Sequence, residues 1–180
     1  MSMEQGIGRI VLSQEEIAQG VDELASAIAK DYAGEEVLLI GVLKGSFIFL
    51  ADLMRALTID VEVDFLAVSS YGGGTSSSGT VRILKDLDKN IQDRHVLVVE
   101  DIVDSGLTIN YLIRMLKERR PASLKLCSLL DKPASRKMPV EMDYIGFTVP
   151  AEFLVGYGLD YQEKYRQLPY IGILEDHSGR

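Results

Sequence analysis

The chain has 180 residues, 47% of them hydrophobic and 26% charged, which is ordinary globular usage and excludes a wholly disordered or fibrous protein. With 19 basic and 27 acidic residues the net charge is −8; this disfavours nonspecific binding to nucleic acid or anionic membrane, but leaves room for a phosphate held locally by backbone amides. A single cysteine, Cys127, excludes an intramolecular disulfide and argues against a Cys-based metal site.

The length suits one domain. No apolar stretch is long enough to span a bilayer, and Glu4 and Gly6 stand where a secretory signal needs a basic start and an apolar block. Cytoplasmic residence is the expectation. Ser13-Gln14-Glu15-Glu16 has capping-box spacing, and Ile17, Val21, Leu24 and Ile28 recur on one face, so the pattern predicts a helix from about Ser13 to Tyr32. Val37 to Val42 is a continuous apolar run suited to a strand covered on both sides; Phe47, Leu50, Ala51 and Met54 follow at helical spacing. Val61 to Val68 is rich in β-branched and aromatic residues and reads as another strand.

Ser69 to Thr80 then holds five Ser, four Gly, two Thr and one Tyr, a composition with little to bury and much backbone entropy to lose, and is expected to be a mobile loop. Val81 to Leu84 reads as a strand returning from it. Val96 to Val99 is a buried strand, and Ile109, Leu112, Ile113 and Leu116 mark the helix after it, which ends at Lys117, Arg119, Arg120 and Pro121. Leu124 to Leu130 and Tyr144 to Val149 are two further strands. The last thirty residues, with Phe153 to Tyr157 and Ile171 to Leu174, read as short strands and loops packed beside the sheet. Strands alternating with helices imply an α/β fold with a mostly parallel sheet flanked by helices on both faces.

The segment Val96 to Thr108, VLVVEDIVDSGLT, carries the chemistry. Carboxyl ends of strands line the ligand crevice of an open parallel sheet, so Glu100 and Asp101 are expected to project there and accept hydrogen bonds from vicinal sugar hydroxyls. Asp104, Ser105, Gly106, Leu107 and Thr108 enter a helix whose free amides hold phosphate, with two hydroxyls as further donors and Gly106 allowing close approach. The competing reading makes Asp104 or Ser105 a helix cap and the acids a mere strand end. Lys44, after a buried strand and before Gly45, is either a solvated residue or beside the ligand. Tyr71 sits in a polar loop with no core to join. Lys132 alone would be a surface residue, and Phe153 and Tyr157 core aromatics. His95 and His177 have no metal-ligand partners at suitable spacing, and Cys127 reads as a small buried hydrophobe.

Hydrophobic strand, two acids, two hydrophobics, acid, Ser, Gly and Thr closely resemble the phosphoribosyl-pyrophosphate signature of type I phosphoribosyltransferases. Other segments sharpen the resemblance to hypoxanthine-guanine phosphoribosyltransferases of bacterial size, over about Val37 to Leu174. Leu43-Lys44-Gly45-Ser46-Phe47 resembles that family's pyrophosphate-binding turn, in which the peptide before the Lys is often cis. Ser70-Tyr71 resembles the opening of its catalytic lid, here made unusually flexible by Gly72 to Gly74. Lys132 is similar to the lysine that reads the purine O6. Phe153-Leu154-Val155-Gly156-Tyr157 followed by Leu159-Asp160-Tyr161 resembles the segment that stacks on the base, contacts its edge through backbone and holds a magnesium with Asp160; Arg166 resembles an arginine on pyrophosphate. One departure is Leu107, where animal members carry a Lys, which shifts phosphate binding toward backbone amides and Thr108.

The resemblance implies a single domain over 1–180, with a core at about 35–150 and a small hood from about 1–12 and 151–180. It also implies a magnesium-dependent transfer of 5-phosphoribosyl from phosphoribosyl pyrophosphate to N9 of hypoxanthine or guanine. Asp104 would be the acid-base residue, Lys44 and Arg166 the cations on the departing diphosphate, Ser70 and Tyr71 the lid, and Glu100, Asp101 and Asp160 the metal-side carboxylates. The family further suggests a homodimer or homotetramer. A transferase for xanthine or another base, or a regulatory protein of the same fold, stays open at this stage.

Overall fold

The computed structural model of the protein describes residues 6–70 and 81–175. Tyr71, the rest of the Gly/Ser-rich segment and His177 lie outside the described residues. Among the described residues nine strands and three α-helices run β1 (Ile7–Leu12), α1 (Gln14–Asp31), β2 (Val37–Leu43), α2 (Phe47–Ala56), β3 (Val61–Ser70), β4 (Val81–Lys85), β5 (His95–Val103), α3 (Leu107–Glu118), β6 (Ser123–Asp131), β7 (Tyr144–Thr148), β8 (Leu154–Val155) and β9 (Ile171–Leu174).

The capping box fixes the start of α1 as its spacing predicts. The Glu16 amide donates to Ser13 Oγ at 3.1 Å, while the Glu16 carboxylate accepts from the Ser13 amide at 2.8 Å. From there Ile17, Val21, Leu24 and Ile28 lie buried along one face. The main sheet has the order β4-β3-β2-β5-β6-β7. Every pairing is parallel except β3 with the edge strand β4. Because side chains alternate along a strand, β2 sends Val37 and Leu39 to the face covered by α1 and α2, and Leu38, Ile40 and Val42 to the face covered by α3. Helices on both faces account for the unbroken apolar runs of β2 and β5.

From β2 the chain passes through α2 to β3 on one side; from the neighbouring β5 it passes through α3 to β6 on the other. Connections thus diverge from the β2/β5 seam, and a crevice opens at the carboxyl ends of those two strands. A second, antiparallel sheet in the order β1-β9-β8 is built from the two ends of the chain. It forms the small hood beside the main sheet.

Ile7–Leu12 is a strand that the sequence pattern leaves unassigned, since Gly6, Gly8 and Arg9 hide any alternation there. The face of α2 differs from the one its spacing suggests: Phe49, Leu50 and Leu53 are buried, whereas Phe47 and Met54 are exposed. Almost every residue of FIFLADLMRA is apolar, so its own periodicity does not choose a face. The sheet does, because Leu50 fills the space left by Gly41 on β2.

Candidate active site

At the carboxyl end of β2 the Leu43–Lys44 peptide is cis. Ser46, fully buried, donates to the Val42 carbonyl at 2.8 Å and closes the turn. Gly45 is required by its neighbour, since a Cβ there would collide with the carboxylate of Asp101 arriving from β5. The two strand ends therefore meet with only backbone between them and the acid.

Glu100 is 8% exposed and lies beside Asp101. Burial, and then the adjacent Asp101 charge, push the Glu100 carboxyl well above the ordinary carboxylate range. Burial also raises Asp101, partly opposed by the hydrogen bond it accepts from the Ile102 amide at 2.8 Å. Two crowded acids of this kind suit a hard divalent cation. Among the described residues no cage of three or more His, Cys, Asp or Glu side chains forms.

The raised Glu100 predicts a pH-dependent stability of the ligand-free, metal-free protein. Its folded form holds a proton more tightly than the unfolded chain, so the stabilisation is complete below the ordinary Glu range and is lost as pH rises through the folded pKa. Glu100→Gln should accordingly melt higher than wild type at pH 8, and the gap should close toward pH 5. About 1 kcal/mol corresponds to about 2–4 °C in Tm for a chain of this size. Calorimetry across that range checks it, and a gap independent of pH would show that Glu100 does not titrate on unfolding.

Across the seam lies a cavity of about 290 Å³. Lys44, Gly45, Asp101 and Asp104 line it from the main sheet, together with Lys132 just beyond β6; Phe153, Leu154, Asp160 and Arg166 close it from the hood side. The Lys132 ammonium, on a residue only 8% exposed, stands 3.9 Å from the Asp104 carboxylate. Phe153 is 38% exposed and meets Tyr161 edge-on, with centroids 5.7 Å apart. Arg166 donates to the Gly158 carbonyl at 2.7 Å and pairs with Asp160 at 3.1 Å. Its Nε is buried without a partner among the described residues, a donor available to an anionic ligand.

Val155 is fully buried, and its backbone pairs with Gly172 in the hood. Tyr157 is a core aromatic whose hydroxyl donates to Asp52 at 2.5 Å. Cys127 is fully buried, which drives its thiol pKa upward. The cap alternative for Asp104 and Ser105 does not hold: α3 begins at Leu107, its N-cap is Gly106 with φ of 84°, and no side chain caps it. Ser105 Oγ does accept a long hydrogen bond from the Leu107 amide, at 3.4 Å, from the position before the N-cap. Ser105, Gly106, Leu107 and Thr108 form the bend and helix start that follow the cavity-lining Asp104; neither these four nor Glu100 line the cavity itself. Ser70 closes β3.

Sequence reasoning passed over Glu163. Its carboxylate pairs with Lys44 at 2.9 Å and with Arg166 at 3.4 Å, and the Lys44 hydrogen bond holds it below the usual carboxylate range. The only local signal is a run of positive φ at Gln162, Glu163 and Tyr165, which no sequence pattern announces. Ile102 and Leu159 add apolar lining.

The model of the phosphoribosyl transferase domain matches residues 9–162. The hypoxanthine-guanine phosphoribosyltransferase of Streptococcus mutans is 49% identical over 174 residues, which cover 97% of this chain and 97% of that protein. The chain belongs to the phosphoribosyltransferase family, among the hypoxanthine-guanine phosphoribosyltransferases. A crystal structure of a hypoxanthine-guanine phosphoribosyltransferase from Bacillus anthracis superposes with a TM-score of 0.89 at 49% identity, covering 93% of this chain and 98% of that one. The bifunctional protein TilS/HprT of Listeria monocytogenes is 50% identical over 174 residues, but the match takes in 97% of this chain and only 27% of that protein. The chain thus spans about a quarter of the length of that bifunctional relative.

Proposed function

We propose that the chain transfers the 5-phosphoribosyl group of phosphoribosyl pyrophosphate to N9 of hypoxanthine or guanine, giving IMP or GMP and pyrophosphate in purine salvage. The observation that carries this reading is the Lys132–Asp104 pair at the cavity edge. O6 and N7 are neighbours on one edge of a 6-oxopurine; a buried ammonium suits the O6 acceptor, and a carboxylate suits the N7 proton beside it.

Asp104 accepts that proton as N9 attacks C1 of the ribose and the bond from C1 to pyrophosphate breaks. Positive charge grows on the ribose in the transition state, and the fixed acids Glu100 and Asp101, which receive the ribose hydroxyls, stabilise it electrostatically. Lys44 and Arg166 face the departing diphosphate, with Gly45 letting it approach the backbone. In the same reading the amides from Ser105 to Thr108 hold the 5-phosphate, Phe153 stacks on the base, and Leu154 and Val155 meet its edge. Glu100, Asp101 and Asp160 would hold magnesium, which would supply charge neutralisation for the diphosphate. The lid role of Ser70 and Tyr71, excluding water from the ribosyl cation, rests on sequence resemblance.

A single domain with core and hood, cytoplasmic residence and a dimer or tetramer belong to the same proposal. Cell fractionation and light scattering test the last two. For the reaction itself, pyrophosphate release is measured with phosphoribosyl pyrophosphate and each free base in turn. Release with hypoxanthine or guanine supports the assignment; release only with adenine, xanthine or uracil, or with none, rejects it.

A further inference from the structure

We infer that Arg136 is a positioning residue that sets the Asp104 carboxylate against Lys132. This rests on the proton-acceptor reading of Asp104. The carboxylate of Asp104 is half exposed, and its one ionic neighbour among the described residues is Lys132. Its placement therefore depends on the backbone that carries it, an irregular bend between the end of β5 and the start of α3.

One guanidinium grips that bend. Arg136 Nε donates to the Asp104 carbonyl at 2.9 Å and Nη2 to the Val103 carbonyl at 3.3 Å, while Nη2 also pairs with Asp131. The Arg136 and Asp131 side chains are 18% and 14% exposed, so the pair is largely shielded from water. The Val103 carbonyl also accepts from the Lys132 amide at 3.0 Å, so a single oxygen ties Arg136, the base-reading lysine and the bend together. On the far side the Ser105 carbonyl accepts from the Lys137 and Met138 amides at 2.8 and 3.1 Å. Gly106 is hemmed in: a Cβ there would stand 2.7 Å from the Met138 carbonyl and 3.1 Å from Arg136 Cδ. A planar fork is the side chain that can meet two successive carbonyls and a carboxylate at once, which an ammonium cannot do.

If Arg136 acts through Asp104, its loss should slow turnover while leaving phosphoribosyl pyrophosphate binding nearly unchanged. A displacement of about 1 Å in a positioned group can cost about 100-fold in rate, so Arg136→Ala should lower kcat by 10- to 100-fold with KM for phosphoribosyl pyrophosphate within threefold of wild type. Arg136→Lys, which keeps the charge beside Asp131, guards against simple unfolding and should still lose at least fivefold in kcat at an unchanged Tm.

The deciding measurement is a double-mutant cycle with Asp104→Asn. A positioning residue has nothing left to position in that background, so Arg136→Lys should then cost less than twofold. Equal losses in both backgrounds would overturn the positioning role and leave Arg136 as general structure. Wild-type turnover in Arg136→Lys, with Asp104→Asn slow, would overturn it as well. Normal turnover in Asp104→Asn itself would instead reject the proton-acceptor reading, so the two failures are told apart.

Discussion

Asp104→Asn should lower kcat by about 10² to 10⁴, the usual contribution of general acid-base catalysis. The substitution keeps the shape of the side chain and removes its basicity. Asp104 lies in the bend before α3 with its carboxylate turned toward the Lys132 ammonium 3.9 Å away. Because α3 is capped by neither Asp104 nor Ser105, a loss in the variant would not be the loss of a helix cap. Phosphoribosyl pyrophosphate, whose proposed contacts are the amides from Ser105 to Thr108, Glu100, Asp101, Lys44 and Arg166, should bind almost as before. Steady-state kinetics with calorimetric binding of phosphoribosyl pyrophosphate separates the two quantities. Near-normal turnover would leave the purine proton to another group, and a large loss of binding with kcat intact would make Asp104 a substrate contact.

The parts of this site that a linear reading reaches are those whose signal is local. Val96 to Val99 and Val37 to Leu39 are buried on both faces, and such strands announce themselves as unbroken apolar runs. Glu100, Asp101 and Asp104 stand out because acids so close to a buried strand need a reason to be there. Lys132 is different. A lysine is usually exposed, and only the fold reveals that this one is 8% exposed at the end of β6, so its assignment needed resemblance to a family. Arg136 and Glu163 lie further still from local reading, because the site residues they hold, Asp104 and Lys44, stand 32 and 119 positions away in the chain. The face of α2 shows the same limit: a helix apolar all round takes its orientation from the sheet beneath it, and here Gly41 admits Leu50.

Lys132→Met should abolish most of the preference for hypoxanthine over adenine. O6 of hypoxanthine accepts a hydrogen bond from an ammonium, whereas adenine presents an amino group at that position, and an ammonium has no acceptor to offer it. Lys132 is almost wholly buried and its only ionic neighbour among the described residues is Asp104, so adenine would leave a desolvated charge facing a donor. A site built around one polar partner rejects its mismatch by on the order of 10⁴ in specificity. Met preserves the length and apolar stem of the side chain and removes the charge, so the cavity wall should persist while the penalty against adenine disappears. The quantity to measure is the ratio of kcat/KM for hypoxanthine to that for adenine, with phosphoribosyl pyrophosphate saturating. Wild type should show a ratio of on the order of 10⁴, and the variant one smaller by at least 100-fold, through faster use of adenine together with slower use of hypoxanthine. Efficient use of adenine by wild type would overturn the 6-oxopurine assignment altogether. A high ratio that survives in Lys132→Met would move the reading of the base to the hood, where Leu154 lines the same cavity and the Val155 backbone is fixed by its pairing with Gly172.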